Sequence, residues 1–255
     1  MTTRILFCSD IHLEFGKLGR LPPPPNPDDY DAILLIGDIG IGNQGVLWAM
    51  DFFKGSKPVY YIPGNHEYYQ RYYEDVCEKL LQYEDIFTNF HVLNPGIAII
   101  NDVKIIGATL WSSLEAANGY SVAHYVSNAI ADFRVIHNGE GLWTTDKHIE
   151  THKKEVEFID EALTELGPGK VVVATHFLPT ADCTHPKYFG SHLNPYFANN
   201  LDWLCEKHRI DYWLFGHTHD VMDVVHASST RMISNPFGYP NEFAFRPNNW
   251  AILEL

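Results

Sequence analysis

Ala32-Ile33-Leu34-Leu35-Ile36-Gly37-Asp38 is an unbroken apolar run closed by a glycine and a carboxylate. The run is too short for an ordinary helix and shows no polar alternation, so it reads as a buried strand. The same design precedes it in Arg4-Ile5-Leu6-Phe7-Cys8, which leads into Ser9-Asp10. It recurs in Val59-Tyr60-Tyr61-Ile62, which stops at Pro63-Gly64, and in Val171-Val172-Val173-Ala174, which stops at Thr175-His176. Tyr212-Trp213-Leu214-Phe215 completes the series and stops at Gly216-His217. Each time an apolar strand ends at a small residue or turn former, and a His, Asp or Asn follows at once.

Apolar spacings of three and four between these runs predict helices over 46–53, 72–83, 147–166 and 195–208. Strand alternating with helix argues for an α/β fold. Residues 97–100 and 104–108 flank Asn101-Asp102 and read as a hairpin, and 222–226, 231–234 and 250–255 also read as extended. Two packed sheets with helices outside accommodate all of these. Pro22-Pro23-Pro24-Pro25 forms a polyproline-like loop between the first two strands. Residues 111–146 follow no clear period and are expected to form an insertion near the site. No repeat or shift of composition divides the chain, and 255 residues against a prior of about 150 per domain fits one domain spanning 1–255.

With 45% hydrophobic, 14% aromatic and 20% charged residues, the chain can bury a sizeable core and is not a disordered tail. No apolar run approaches the roughly 18 residues of a membrane span, and the start Met1-Thr2-Thr3-Arg4 lacks a signal-peptide profile, so a soluble, cytoplasmic protein is expected. The net charge of -14 has the wrong sign for gripping duplex nucleic acid. Cys8, Cys77, Cys183 and Cys205 form no Cys-x-x-Cys pair and read as reduced thiols. The unusual feature is 14 histidines, several of them set beside Asp, Asn and Gly.

Asp10-Ile11-His12 puts a carboxylate and an imidazole two apart, on one side of an extended segment. Gly37-Asp38 adds a carboxylate, and Gly64-Asn65-His66-Glu67 an amide oxygen and an imidazole. Thr175-His176 and Gly216-His217-Thr218-His219 add three more imidazoles. Mixed oxygen and nitrogen donors suit zinc, manganese or iron better than calcium or copper. They outnumber the needs of one tetrahedral ion. Seven protein ligands with one shared carboxylate would serve two ions about 3.5–4 Å apart, the spacing that clamps both oxygens of an in-line phosphoryl displacement.

Singly, these blocks are weak: an Asp-x-His at a strand end is more often a turn, and a Gly-Asp alone says little. Jointly and in this order, D-x-H, G-D, G-N-H-[DE], H and G-H-x-H, they resemble the calcineurin-like metallophosphoesterase superfamily. The resemblance covers residues 10 to 219 and implies a four-layer α/β/β/α sandwich. It implies one metal held by Asp10, His12, Asp38 and His219, and another held by Asp38, Asn65, His176 and His217, with Asp38 bridging. A water between two dications has a strongly lowered pKa, so hydroxide is available near neutral pH to attack phosphorus. His66 is left outside this ligand set and matches the family's general acid, which protonates the departing alkoxide.

Protein phosphatases of the superfamily continue Gly-Asp with Asp-Arg-Gly, whereas this chain reads Gly37-Asp38-Ile39-Gly40-Ile41-Gly42, which argues against a phosphoprotein substrate. None of the arginines Arg4, Arg20, Arg71, Arg134, Arg209, Arg231 and Arg246 falls inside a metal block. A small phosphodiester, such as a cyclic nucleotide or nucleotide-like molecule, is therefore the expected substrate. The rivals are a phosphomonoesterase and a non-catalytic interaction scaffold. Tyr60, Tyr61, Tyr68, Tyr69, Tyr72 and Tyr73 cluster around the third block, either as packing or to stack on a base or aryl group. Arg134 and His192 are candidates to reach substrate from loops, and His124, His137, His148 and His152 are expected to be solvated.

Overall fold

The computed structural model describes residues 2–16, 21–116, 118–139, 141–242 and 250–255. The chain begins β1 (Arg4–Cys8), β2 (Ala32–Ile36), α1 (Gln44–Phe53), β3 (Val59–Ile62), α2 (Tyr73–Ile86), β4 (Phe90–Val92), β5 (Gly96–Ile100) and β6 (Val103–Ala108). Next come α3 (Ala123–Ala129), α4 (Asp132–Val135), β7 (His137–Asn138), β8 (Gly141–Leu142) and α5 (Thr145–Glu165). It ends with β9 (Lys170–Thr175), α6 (Asn194–Phe197), α7 (Asp202–Lys207), β10 (Tyr212–Phe215), β11 (Met222–Val225), β12 (Arg231–Ser234) and β13 (Ala251–Glu254).

The first sheet has the order β13-β1-β2-β3-β4, parallel except for β13. The second has the order β11-β12-β10-β9-β6-β5, in which β6, β9, β10 and β12 are parallel. Side-chain alternation sorts each strand between two faces. Ile5, Phe7, Leu34 and Ile36 meet Ile105, Val172, Ala174 and Leu214 between the sheets. Leu6, Cys8, Ile33 and Leu35 face outward onto Val46, Ala49 and Phe53 of α1 and Val76 and Leu80 of α2. On the far side Ile106, Val173, Trp213 and Phe215 meet Ile159 and Leu163 of α5 and Leu204 of α7. The layers are therefore helix, sheet, sheet, helix, as the resemblance implies. All four cysteines are free. No helix among the described residues is long and apolar enough to cross a membrane.

Two features depart from the sequence reading. The helix expected over 195–208 is broken into α6 and α7, because 197–201 turn aside to bond the chain at 178–179: Leu178 N–H donates to Phe197 O (3.2 Å) and Asn199 N–H to Leu178 O (3.0 Å). The short β4, with the polar His91 at its centre, gave no strand signal, yet it extends the first sheet through Phe90 opposite Val59. The stretch 111–146 contributes Val122, Val126, Phe133, Ile136 and Trp143 to the core on the α1/α2 side.

The turns that carry the polar residues are held by one buried side chain. Glu67 accepts from the backbone N–H of Asp38 (3.0 Å), Ile39 (2.8 Å), Gly40 (3.3 Å) and Gly64 (2.7 Å), and from Tyr61 OH (2.7 Å). It thereby ties the turn after β2 to the turn after β3. Burial, with Asp38 nearby, pushes its carboxyl up to about 7 against the donors that favour the anion. Glu67→Ala leaves these buried donors unpaired, at about 1–3 kcal/mol for each group that water cannot reach. We expect it to lower unfolding free energy in urea by at least about 3 kcal/mol, and Glu67→Gln to destabilise as well, because an amide NH2 would face N–H donors. A loss below about 1 kcal/mol for Glu67→Ala would show that the clamp is not needed.

Candidate metal centre

Because β1, β2 and β3 run parallel in one sheet and β9 and β10 in the other, their carboxyl ends share one edge of the molecule. β1 delivers Asp10 and His12 there, β2 Asp38, β3 Asn65 and His66, β9 His176, and β10 His217 and His219. The loops are stitched by Asp10 N–H to Gly37 O (3.0 Å), His12 N–H to Asp38 O (2.9 Å) and Gly216 N–H to His176 O (3.0 Å). Glycine is required at 37 and 64: a Cβ on either would overlap the His176 ring, and Gly37 has φ +77°. Five of the ligand-type residues also occupy the left-handed region, Asp10 (φ 55°), His12 (53°), Asp38 (54°), His217 (65°) and His219 (53°). Such conformations cost about 1–3 kcal/mol each and collect at functional sites.

Oxygen and nitrogen atoms of Asp10, His12 and His219 lie within 4.8 Å of one another, as do those of Asp38, His176 and His217. His12 Nδ1 bonds Glu14 (2.9 Å) and His219 Nδ1 bonds Glu242 (2.9 Å). With those N–H groups committed to carboxylates, the two Nε2 atoms carry lone pairs, yet they face each other at 3.0 Å. His176 Nδ1 is committed to Ile36 O (3.0 Å), and its Nε2 faces Asp38 Oδ1 (3.3 Å) and Asn65 Oδ1 (3.2 Å). His217 Nε2 is buried without a hydrogen-bond partner among the described residues. Acceptors converge on acceptors here, an arrangement stable only around positive charge, and the residues fit a pair of cations. Without ions, protons are drawn in instead. Burial opposes charge on His219, but bonds to Asp10 and Glu242 raise it to about 10, and Asp38 raises His176 to about 9 against the same opposition. Asp38 is held well below the carboxylate range by His176 and His66 despite its burial. Burial lowers His12 and His217, which suits them as neutral donors to a metal.

Three carboxylates that sequence reading missed orient this set. Asp132, fully buried, accepts from Asn65 Nδ2 (3.0 Å), Tyr69 OH (2.8 Å) and Tyr196 OH (2.6 Å), which turns the Asn65 oxygen toward His176. Glu242 and Glu14 hold histidines. Only Glu14, two residues past Asp10-Ile11-His12, lay close enough to a motif to be suspected. Next to the ligands opens a cavity of about 430 Å³, floored by Asp38, Asn65, His66, His217 and His219 and walled by Ala129, Ile130, Leu178, Leu193, Tyr196 and Phe197. No lysine or arginine is among its described lining residues.

Among the tyrosines, Tyr69 lines the cavity and stacks on His66 (4.0 Å between centroids), while Tyr68 packs against Tyr73 and Trp111, and Tyr61 serves Glu67. Arg134 closes the end of α3 through Asn128 O (2.7 Å), and Arg71 bonds Gln70 O (2.9 Å). Arg20 and Arg246 lie outside the described residues. Ser191 and Leu193 line the cavity but His192 is not among the lining residues. His148 and His152, expected to be solvated, are buried in α5: Ser112 N–H donates to His148 Nε2 (3.0 Å) and His152 Nδ1 bonds Trp111 O (2.7 Å). These two positions fall on the inner face of the helix, and backbone polar groups of the 111–112 turn give them partners.

The sequence pattern of calcineurin-like phosphoesterases matches residues 3–221. The chain belongs to that family. A relative in Acanthamoeba polyphaga mimivirus, an uncharacterised protein, is 31% identical over 94% of this chain and 92% of its own length. A phosphopantetheinyl hydrolase from Mycobacterium tuberculosis shares the fold with a TM-score of 0.75 at 18% identity, covering 99% of this chain and 95% of that one. A dimetal phosphatase from Danio rerio does so with a TM-score of 0.53 at 13% identity, covering 98% and 91%. Calcineurin-like phosphoesterases depend on two metal ions, and membership supports a phosphoric ester hydrolase. Asp38, with one oxygen 3.3 Å from His176 and the other 3.7 Å from His12, stands between the two groups and yields a stoichiometric test of the bridging role. Asp38→Ala should lose most of both ions by elemental analysis, while His12→Ala should retain about one ion per chain, since a lost ligand outside the bridge weakens one site. Full occupancy in Asp38→Ala would remove it from the bridging role.

Proposed function

We propose that the protein is a metal-dependent phosphodiesterase acting on a small phosphodiester with an apolar or aromatic substituent, such as a nucleotide-like molecule, with manganese as a competent metal. The observation that supports the diester choice is a cavity lining without a described lysine or arginine, in which Ala129, Ile130, Leu178, Leu193 and Phe197 stand beside polar Thr184, Ser191 and Asn194 and the carboxylate of Glu242. A monoester near neutral pH approaches two negative charges and gains from bidentate arginines beside the metals. A diester carries one charge, and its second substituent can occupy the space between Ile130, Leu193 and Phe197. Bound ions supply Lewis acidity and an acidified water. The chain's own residues do the rest. His66 lines the cavity, Glu14 holds its Nδ1–H (2.7 Å), and its Nε2 is left to face Asp38 (3.8 Å) and the reacting group. Burial disfavours the imidazolium, while Asp38 and Glu14 raise its pKa above the ordinary value in the metal-free chain; Glu14 is the one of the two that stays free to hold the ring in its acid role once Asp38 is engaged by ions. Tyr69, stacked on the ring, keeps it from rotating away.

A panel of phosphodiesters and matching monoesters, assayed with one metal, tests the substrate class. We expect chelation to abolish turnover, manganese to restore it, and the diester to be preferred. A monoester preferred by more than about tenfold in kcat/KM, or about 1.4 kcal/mol, would reject the diesterase reading in favour of a phosphatase. Turnover that survives verified removal of all metal would reject both. For the acid, His66→Ala should slow an alkyl ester by about 10²–10⁴-fold and a nitrophenyl ester far less, because a good leaving group needs little protonation. Equal losses on the two esters would assign His66 another task.

A further inference from the structure

We propose that Glu14 is a positioning residue that sets a metal-ligand histidine and the acid histidine through one oxygen atom, an inference that rests on the reading of His66 as the proton donor. Glu14 lies in the short turn Leu13–Phe15, directly after the left-handed His12 (φ 53°). That backbone reversal, fixed by Leu13 N–H to Ile39 O (3.0 Å), folds residue 14 back over the site instead of letting it run on to solvent. Its Oε1 lies 2.9 Å from His12 Nδ1 and 2.7 Å from His66 Nδ1, and its side chain is only 10% exposed. The two rings meet edge to face at 4.5 Å, and both direct Nε2 toward the same atom, Asp38 Oδ2, at 3.7 and 3.8 Å.

The consequence is one of tautomers. A carboxylate can only accept, so each ring must place a hydrogen on Nδ1. For His12 that leaves the Nε2 lone pair for a metal, and for His66 it leaves Nε2 as the nitrogen turned to the cavity, which holds the transferable proton when the ring is the imidazolium. Without Glu14 each ring is free to take the other tautomer or to rotate. His12, Glu14 and His66 also lie close enough together to hold a cation, and the tautomer readout below separates that arrangement from the hydrogen-bonded one, in which Oε1 accepts from both rings. The sequence supports the same division of labour: the turn after Asp38, Ile39-Gly40-Ile41-Gly42, offers no side-chain carboxylate to hold His66, and the loop after β1 supplies one.

The experiment is a double-mutant cycle on the metal-loaded protein between Glu14→Ala and His66→Ala, read with an alkyl and a nitrophenyl phosphodiester and accompanied by elemental analysis. Glu14→Ala alone should slow the alkyl ester by about 10–100-fold, through kcat rather than KM, with at most a tenth of that loss on the nitrophenyl ester. In the His66→Ala background the further loss on the alkyl ester should shrink to about twofold, because a residue acting through another is not additive with it. Glu14→Gln, which keeps an oxygen of the same reach, should recover part of the rate. Long-range nitrogen NMR of the zinc-loaded protein should report His66 protonated at Nδ1 in the wild type and lose that signature in Glu14→Ala. Additive losses in the cycle, equal losses on both esters, or an unchanged His66 tautomer would overturn the positioning role. Loss of a metal ion with an unchanged leaving-group dependence would overturn it too, confining Glu14 to His12. If His66→Ala itself shows no leaving-group dependence, the ester comparison no longer bears on Glu14 and the tautomer signature decides alone: its loss in Glu14→Ala leaves the positioning of His66 standing while the acid reading fails, and its persistence overturns the positioning role.

Discussion

Everything at the carboxyl edge of the two sheets depends on acceptors being forced against acceptors. His12 Nε2 and His219 Nε2 at 3.0 Å, and His176 Nε2 between two carbonyl-type oxygens, have no neutral way to satisfy one another. Buried lone pairs without donors are costly, and the fold tolerates them only because cations, or protons in their absence, complete the site. The strain is visible in the backbone, where five of the ligand residues hold left-handed φ values. What opposes it is ordinary packing. A fully buried Leu, Ile, Val or Phe contributes about 1.5–3 kcal/mol, and the strands leading to each ligand consist of such residues. The apolar runs and the polar residues after them are thus two halves of one design, stabilisation followed by the distortion it supports.

Around the donor atoms a ring of carboxylates settles orientation. Glu67 serves the backbone, Glu14 and Glu242 the histidine tautomers, and Asp132 the amide of Asn65. Glu14, Glu242 and Asp132 accept from side chains that would otherwise be free to flip, and Glu67 fixes the turns that carry them, so the ligand-type residues are held in place without an ion. This matters most for Asn65, whose oxygen and nitrogen occupy nearly the same space. A carboxylate and a tyrosine hydroxyl on its NH2 side leave only one productive orientation.

The strands and the ligand-type residues that gather at their ends were legible because each was written locally. A buried strand announces itself in four or five consecutive residues, and its terminal His or Asp follows in the next two, so β1, β2, β3, β9 and β10 could be read together with their polar ends. The carboxylates that orient the ligands were not legible, because their partners are remote: Asp132 is 67 positions from Asn65 and Glu242 is 23 from His219. Nothing near Asp132 marks it as different from any acidic residue in a loop. The helix over 195–208 failed for a related reason, since the break at 198–201 comes from bonds to Leu178 and not from a proline or glycine at that point. His148 and His152 were misjudged because a histidine on a helix is buried or solvated according to what lies opposite, here the 111–112 turn.

The charge of the chain raises a last point about selectivity. A net charge of -14 would repel a phosphate ester from most of the surface, and the cavity wall offers no described cation to offset it. Attraction must therefore come from within the cleft, where two dications are the largest charges and water is partly excluded. Such a field is short-ranged in physiological salt, fading over about 8 Å, so it acts on a phosphate already at the mouth rather than steering from a distance. Polyanions, whose remaining phosphates would lie against the acidic exterior, gain least from this arrangement. Under the proposed reading a singly charged ester with an uncharged remainder would gain most, its one charge directed to the metal site and the rest to the side of the cavity that holds Ile130, Leu193 and Phe197. The acidic exterior and the lack of a described lysine or arginine in the cavity lining are thus the two features that support the proposed preference for small esters of low charge.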